Sequence, residues 1–246
     1  MIRVGILGSE GRMGRAIVEL ASTDSDVRIE SLVDVKNLLR TEITNKKVDV
    51  FIDFSSPKAT VENLRILVEH NVSVVIGTTG FNAEELKILE SAAQKIPIVF
   101  ASNFSVGVNV LWKVIASISK TLAADYDADI VESHHRHKKD APSGTAVTTG
   151  QILLDAKGVN YEDNVVFGRS GRNNMRSRDE LGILAVRGGG VVGEHTVIFA
   201  SDCDKLEIKH TAFSRETFAA GAIRAAKWLL KKQPGLYSMQ DVLEFQ

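Results

Sequence analysis

The feature that most constrains this chain is a set of three glycines, each separated from the next by two residues. Gly8, Gly11 and Gly14 follow the apolar run Ile2–Leu7 and lead into residues 12–22, where Met13, Ile17, Val18 and Leu20 recur near helical spacing. The backbone must therefore turn from strand to helix within a few residues. Gly8 suits the tight turn, Gly11 admits a pyrophosphate to the backbone, and Gly14 lets helix and strand pack closely. The helix start adds N–H groups without helical partners and a positive dipole end. The spacing is G-x-x-G-x-x-G rather than G-x-G-x-x-G, so a strand–turn–helix without a ligand is the competing reading. Asp34, at the end of the next strand pattern, argues for a dinucleotide, because an acid there bonds the adenosine ribose hydroxyls. Its bland reading is a strand-end carboxylate. The acid disfavours a 2′-phosphate whereas Lys36 and Arg12 tolerate one, which leaves NADH and NADPH both open.

The alternation continues to about residue 105. Strands are expected over Val27–Val33, 48–54, 72–76 and 96–101. Pro57 opens a helix to about residue 69, and Asn82 with Glu85 forms a capping box for a helix to about residue 95. Strand and helix in this order imply right-handed βαβ units and a parallel, doubly wound sheet. Two loops, Gly77-Thr78-Thr79-Gly80 and Ala101-Ser102-Asn103-Phe104-Ser105, follow strands at the ends where such sheets bind ligands. Their small polar residues suit a nicotinamide and its ribose; each alone is also an ordinary turn.

The pattern then changes. A helix is expected over residues 106–124, a strand over 128–135 and a helix over 144–154. Strands follow over Leu181–Arg187, 194–201 and Lys205–211, then a helix over 215–231 capped by Ser214. The fold class is thus α/β: an N-terminal Rossmann-type parallel sheet plus an α+β domain with a mixed or antiparallel sheet. Residues 157–180 hold Arg169, Arg172, Arg176 and Arg178 among Gly, Ser and Asn. This stretch reads either as a solvated loop or as one that contacts a ligand or another subunit.

Charge and cysteine content narrow the function. Thirty Lys and Arg against thirty-one Asp and Glu argue against a nucleic-acid binder. No apolar run reaches the roughly 18 residues of a membrane helix, and no signal-peptide pattern opens the chain. A single cysteine, Cys203, excludes an intramolecular disulfide and an all-Cys zinc site, so a reducing, cytoplasmic compartment is expected.

The segment from Glu132 to Ala146, ESHHRHKKDAPSGTA, is the most unusual. Its bland reading is a solvated charged face. Against that, it joins titratable imidazoles and a lysine to a Pro-Ser-Gly-Thr helix start, a combination that binds carboxylates and moves a proton. Adjacent His134 and His135 point to opposite faces of a strand, which disfavours joint metal ligation, and no metal is expected. His70, His195 and His210 read as mainly structural.

These residues together resemble the 4-hydroxy-tetrahydrodipicolinate (dihydrodipicolinate) reductase family. The motifs are GSEGRMGR from Gly8, DFSSP from Asp53, GTTG from Gly77, NFSVG from Asn103, HHRHKKDAPSGTA from His134 and RGGGVVGEH from Arg187. The resemblance implies NAD(P)H-dependent reduction in lysine and diaminopimelate synthesis, a small dicarboxylate substrate and a homotetramer. It implies a dinucleotide-binding domain of residues 1–105 and 216–246, and a substrate and tetramerisation domain of residues 106–215. Gly8, Ser9, Glu10, Gly11, Arg12 and Met13 would hold the pyrophosphate, and Asp34 the ribose. Gly77, Thr78, Thr79, Ala101, Ser102, Asn103 and Phe104 would flank the nicotinamide. His134 would be the acid/base residue, Lys138 the proton donor, and His135, Ser143, Gly144 and Thr145 would bind substrate. The region between residues 35 and 47 is short for the family. Two other readings stay in play: another small NAD(P)-dependent amino-acid dehydrogenase, and a dinucleotide sensor without turnover.

Overall fold

A computed structural model describes residues 1–35, 38–123 and 125–245. Lys36, and Ala124 at the end of one expected helix, lie outside the described residues. In chain order the elements begin with β1 (Ile2–Leu7), α1 (Arg12–Ala21), β2 (Val27–Val33), α2 (Leu39–Asn45), β3 (Val50–Asp53) and α3 (Pro57–Glu69). Then come β4 (Ser73–Ile76), α4 (Ala83–Ala93), β5 (Pro97–Phe100), α5 (Val106–Leu122), β6 (Asp127–His134) and α6 (Gly144–Lys157). The last are α7 (Tyr161–Asn164), β7 (Val165–Val166), β8 (Leu181–Arg187), β9 (Gly193–Ala200), β10 (Lys205–Ala212), α8 (Glu216–Leu229), β11 (Gly235–Tyr237) and α9 (Met239–Val242). These elements form two units: the first is Met1–Val106 with Arg215–Gln246, and the second is Gly107–Ser214.

The first unit is a six-stranded sheet in the order β11-β5-β4-β3-β1-β2, with every pairing parallel. Its central strands are near-continuous apolar runs because both faces are covered. Alternation sends Val4, Ile6, Val50, Ile52, Val75 and Val99 to one face, where α8 brings Ala222, Ile223 and Leu229. Leu7, Phe51, Val74, Ile76 and Ile98 go to the other, against Leu64 and Leu67 of α3 and Leu89 of α4. The expected signals start the helices: Pro57 follows the Ser56 cap, and Asn82 and Glu85 make both bonds of their capping box. The N-cap position of α8 is Arg215, with no side-chain cap bond, rather than the expected Ser214. The strand order reverses at β1, whose neighbours are β2 and β3, and the carboxyl ends at such a switch point form the ligand crevice of open α/β sheets.

The second unit is a five-stranded mixed sheet in the order β10-β9-β6-β8-β7. β6 runs parallel to β8 and antiparallel to β9, so it sits between two strands that follow one another in sequence. Leu111 and Ile115 of α5 with Leu153 and Leu154 of α6 pack on Ile130, Ile183, Val197 and Phe199, which lie on one sheet face. The opposite face carries Val131, Leu184, Val186 and Ile198, with Val186 51% exposed. The arginine-rich stretch is mostly exposed, as a solvated loop would be, but two of its arginines are tied to the sheet. Arg169 and Arg176 both pair with Asp129 of β6, at 3.1 and 2.6 Å, and Arg169 also pairs with Glu180 at 2.6 Å. Burial raises the Asp129 carboxyl, and these guanidiniums outweigh it and hold the group below its ordinary range. The loop is therefore clamped to its own sheet.

Candidate active site

In the first unit the site is made largely of backbone. Gly8 has φ +76°, a left-handed value that favours glycine, and a Cβ on Gly14 would collide with the Gly8 carbonyl oxygen and lie 2.7 Å from Ser9 Cα. Gly11 is the N-cap of α1 and no side chain caps the helix, so the N–H groups of its first turn face the crevice without a capping partner. This cradle fits a pyrophosphate. Asp34 accepts from the Glu10 N–H at 2.9 Å and from the Val35 N–H at 2.8 Å, which fixes the carboxylate beside the turn. Ser9, Glu10 and Asp34 line an open cleft of about 490 Å³ with Arg15 and Leu32. Arg12, Met13, Gly77, Thr78 and Thr79 line a second, of about 250 Å³, with Phe54 and Ser55.

Several of the expected cofactor residues serve the scaffold as well. Thr78 is buried, and its hydroxyl joins the Ser55 N–H, the Thr60 hydroxyl and Asp53 in one network. Burial pushes the Asp53 carboxyl up, only partly offset by Ser55, Thr60 and Thr78. A Cβ on Gly77 would overlap the Phe54 ring, so this glycine makes room for an aromatic side chain. Phe104 is 1% exposed and packs edge-on against Phe54 at 5.7 Å; its side chain is core, leaving only its backbone for a ligand. Ala101 packs on the same core, Ser102 is exposed, and Asn103 accepts from the Ser105 N–H at 2.9 Å.

In the second unit the site is made of side chains. The cationic run splits by burial: His134 is buried, His135 and Lys138 are half-buried, and Arg136, His137 and Lys139 are exposed. His134 ends β6, and its Nδ1 lies 2.6 Å from Glu132 Oε2. Glu132, fully buried, also accepts from Arg187 Nη1 and Nη2 at 2.8 and 2.7 Å and from the Ser143 N–H at 3.0 Å. Burial raises this carboxyl, but His134, Arg187 and Ser143 outweigh it and bring it down to about 2. Lys138 Nζ pairs with Asp140 at 2.8 Å, and this bond with its charge holds Asp140 below the usual carboxylate range against the opposing effect of burial.

Ser143 caps α6 by accepting from the Ala146 N–H, and its Oγ lies 2.9 Å from His195 Nε2. The Ser143 hydroxyl is thus turned inward, while Gly144 and Thr145 present the first turn of α6. His195, read from sequence as structural, stands edge-on to His134 at 5.1 Å. Burial, and then the His134 charge, lower its imidazole to about 3. Sequence reasoning gave no site role to Glu132 or Arg187 and read His195 as structural. For Glu132 the signal was its position two residues before His134, hence on the same strand face. His210 pairs with His195 across β9 and β10, and burial lowers its pKa; His70 is the C-cap of α3. Among the described residues no group of three His, Cys, Asp or Glu side chains is placed to hold a metal ion, and no helix is long and apolar enough to cross a membrane.

Comparison with known proteins matches both units. The family model described as dihydrodipicolinate reductase, N-terminus, covers residues 2–104, and that described as dihydrodipicolinate reductase, C-terminus, covers residues 107–243. The 4-hydroxy-tetrahydrodipicolinate reductase of Akkermansia muciniphila is 49% identical over 99% of this chain and 98% of the relative. That of Magnetococcus marinus is 42% identical over 100% and 99%. A dipicolinate-bound dihydrodipicolinate reductase structure from Paenisporosarcina sp. TG-14 aligns with a TM-score of 0.78 at 25% identity, covering 98% of each chain.

Proposed function

From the premise that this chain belongs to the dihydrodipicolinate reductase family, we propose how its residues divide the work of one reduction. The chain is an NAD(P)H-dependent oxidoreductase that converts 4-hydroxy-tetrahydrodipicolinate to tetrahydrodipicolinate with loss of water, in lysine and diaminopimelate biosynthesis. The observation that carries the residue assignment is the Glu132–His134–Ser143–His195 constellation beside Lys138.

Gly8, Ser9, Glu10, Gly11, Arg12 and Met13 hold the pyrophosphate on the glycine cradle and the α1 dipole, and Asp34 receives the adenosine ribose. Residues 77–79 and 101–104 flank the nicotinamide, with Phe104 contributing backbone alone. NADH or NADPH supplies the hydride when bound. The dicarboxylate is held by His135 and by Gly144 and Thr145 in the first turn of α6, whose start Ser143 fixes. As hydride arrives, negative charge develops toward the ring nitrogen and its neighbouring carbon. The ammonium of Lys138 stabilises that charge and donates a proton, and His134 is the acid/base residue.

Self-association to a homotetramer belongs to the same reading. It is supported by the exposed apolar side chains Leu184 and Val186 on the sheet face opposite α5 and α6. A cytoplasmic location agrees with the single, unpaired, exposed Cys203. The test is oxidation of NADH and NADPH followed at 340 nm with freshly generated 4-hydroxy-tetrahydrodipicolinate, beside a His134→Ala, Lys138→Ala double variant. Rapid oxidation absent from the variant is the expected result. No oxidation by folded wild-type protein with either cofactor would leave a dinucleotide sensor in its place.

A further inference from the structure

We propose that Glu132 is a positioning residue for this reduction: its carboxylate fixes His134 in the tautomer that carries a proton on Nδ1, leaving Nε2 as the nitrogen that exchanges a proton with substrate. The inference rests on the reading of His134 as the acid/base residue.

Four donors converge on one fully buried carboxylate. Three of them, the two Arg187 nitrogens and the Ser143 N–H, have no acceptor form. They hold the group ionised, as its pKa of about 2 also reflects. An ionised carboxylate only accepts, so the fourth contact, 2.6 Å from His134 Nδ1, requires Nδ1 to be the donor. The other ring nitrogen has a different setting. A Cβ built on Gly193 would stand 3.1 Å from His134 Nε2, so the glycine keeps side-chain atoms away from that nitrogen. His195, edge-on against the ring, is neutral and has its Nε2 occupied by Ser143.

The proton step balances. In the loss of water the neutral Nδ1–H ring takes a substrate C–H proton on Nε2 and returns it to the departing hydroxyl, so the one proton the reduction consumes comes from Lys138. Through that change Nδ1–H stays on Glu132, and the ring neither turns nor changes its partner. Glu132 acts on the reaction through His134 and touches no reacting atom in this scheme. It also joins β6, β8 and the start of α6, contacts that lie 11 and 55 residues apart in sequence.

The test uses the full chain with 15N-labelled histidine. The His134 ring nitrogens are assigned by their loss in His134→Asn, and the tautomer is read from two-bond 1H–15N couplings. Wild type is expected to show a protonated Nδ1 and a bare Nε2 in the neutral ring. Glu132→Gln keeps the shape; with its oxygen held by the Ser143 N–H and Arg187 Nη2 it turns an N–H toward Nδ1, so the proton moves to Nε2. It is expected to lower kcat at least tenfold with KM within threefold, and Glu132→Asp should recover part of the loss. A purely structural Glu132 would change thermal stability without changing the tautomer. A wild-type Nε2–H tautomer overturns the inference, and so does folded Glu132→Gln with kcat within twofold of wild type. If Glu132→Gln fails to fold, the wild-type tautomer still decides. Full activity in His134→Asn would instead overturn the reading of His134, a result distinguishable from failure of Glu132 alone.

Discussion

The two units build their candidate sites by opposite means. The first uses backbone: a left-handed glycine, a helix start without a side-chain cap, and Asp34 bonded to the turn it faces. The second uses side chains drawn from distant segments and ties them through one buried acid. The difference follows from the tasks proposed for them. A pyrophosphate is recognised by N–H groups that every residue carries, so the turn need only be shaped correctly. Moving a proton needs titratable groups in a chosen tautomer, and in a buried setting each needs a partner.

Loss of Lys138 separates the two units' proposed roles most sharply. Lys138→Ala is expected to lower kcat by about 100- to 10,000-fold, the range of general acid catalysis, with the NADH Kd within twofold by fluorescence titration. An unchanged kcat would remove Lys138 from the chemistry. Gly14→Ala tests the first unit. Its Cβ would press on backbone atoms of Gly8 and Ser9 that cannot rotate away, which costs about 1–3 kcal/mol in such overpacked sites. The NADH Kd is expected to rise at least tenfold while kcat at saturating NADH stays within threefold. Normal NADH affinity would mean that the cradle is not used.

The smallest effect concerns stability. His195 is buried with its pKa lowered to about 3 from 6.5, so between those values the unfolded chain binds a proton that the folded chain refuses. The stability tied to this group is complete above pH 6.5 and is lost as pH falls toward 3. Between pH 7 and pH 5 that is about 2 kcal/mol, or a Tm decline of roughly 5 °C. His195→Gln should show a flatter Tm against pH over the same window. Parallel slopes for variant and wild type would show that His195 does not carry this dependence.

Local patterns account for what the sequence by itself determined. The strand–turn–helix at the glycines, Pro57 at its helix start, the Asn82 capping box and the Ser143 cap each depend on residues within a few positions, where periodicity and capping chemistry decide the outcome. The α/β class followed from the alternation of those patterns, and the histidine-lysine block stood out by composition. Tertiary structure alone decided what lies side by side. Nothing in the order of β8 and β9 shows that β6 separates them, and nothing near Phe104 shows that its ring is core. The Arg-rich loop gained its partner only once Asp129 of β6 lay beside it, and the N-cap position of α8 fell to Arg215 rather than Ser214. Glu132 meets Arg187 across 55 residues of sequence, and Ser143 meets His195 across 52. Such contacts arise from sheet order and from the burial of charge, which only the folded chain sets.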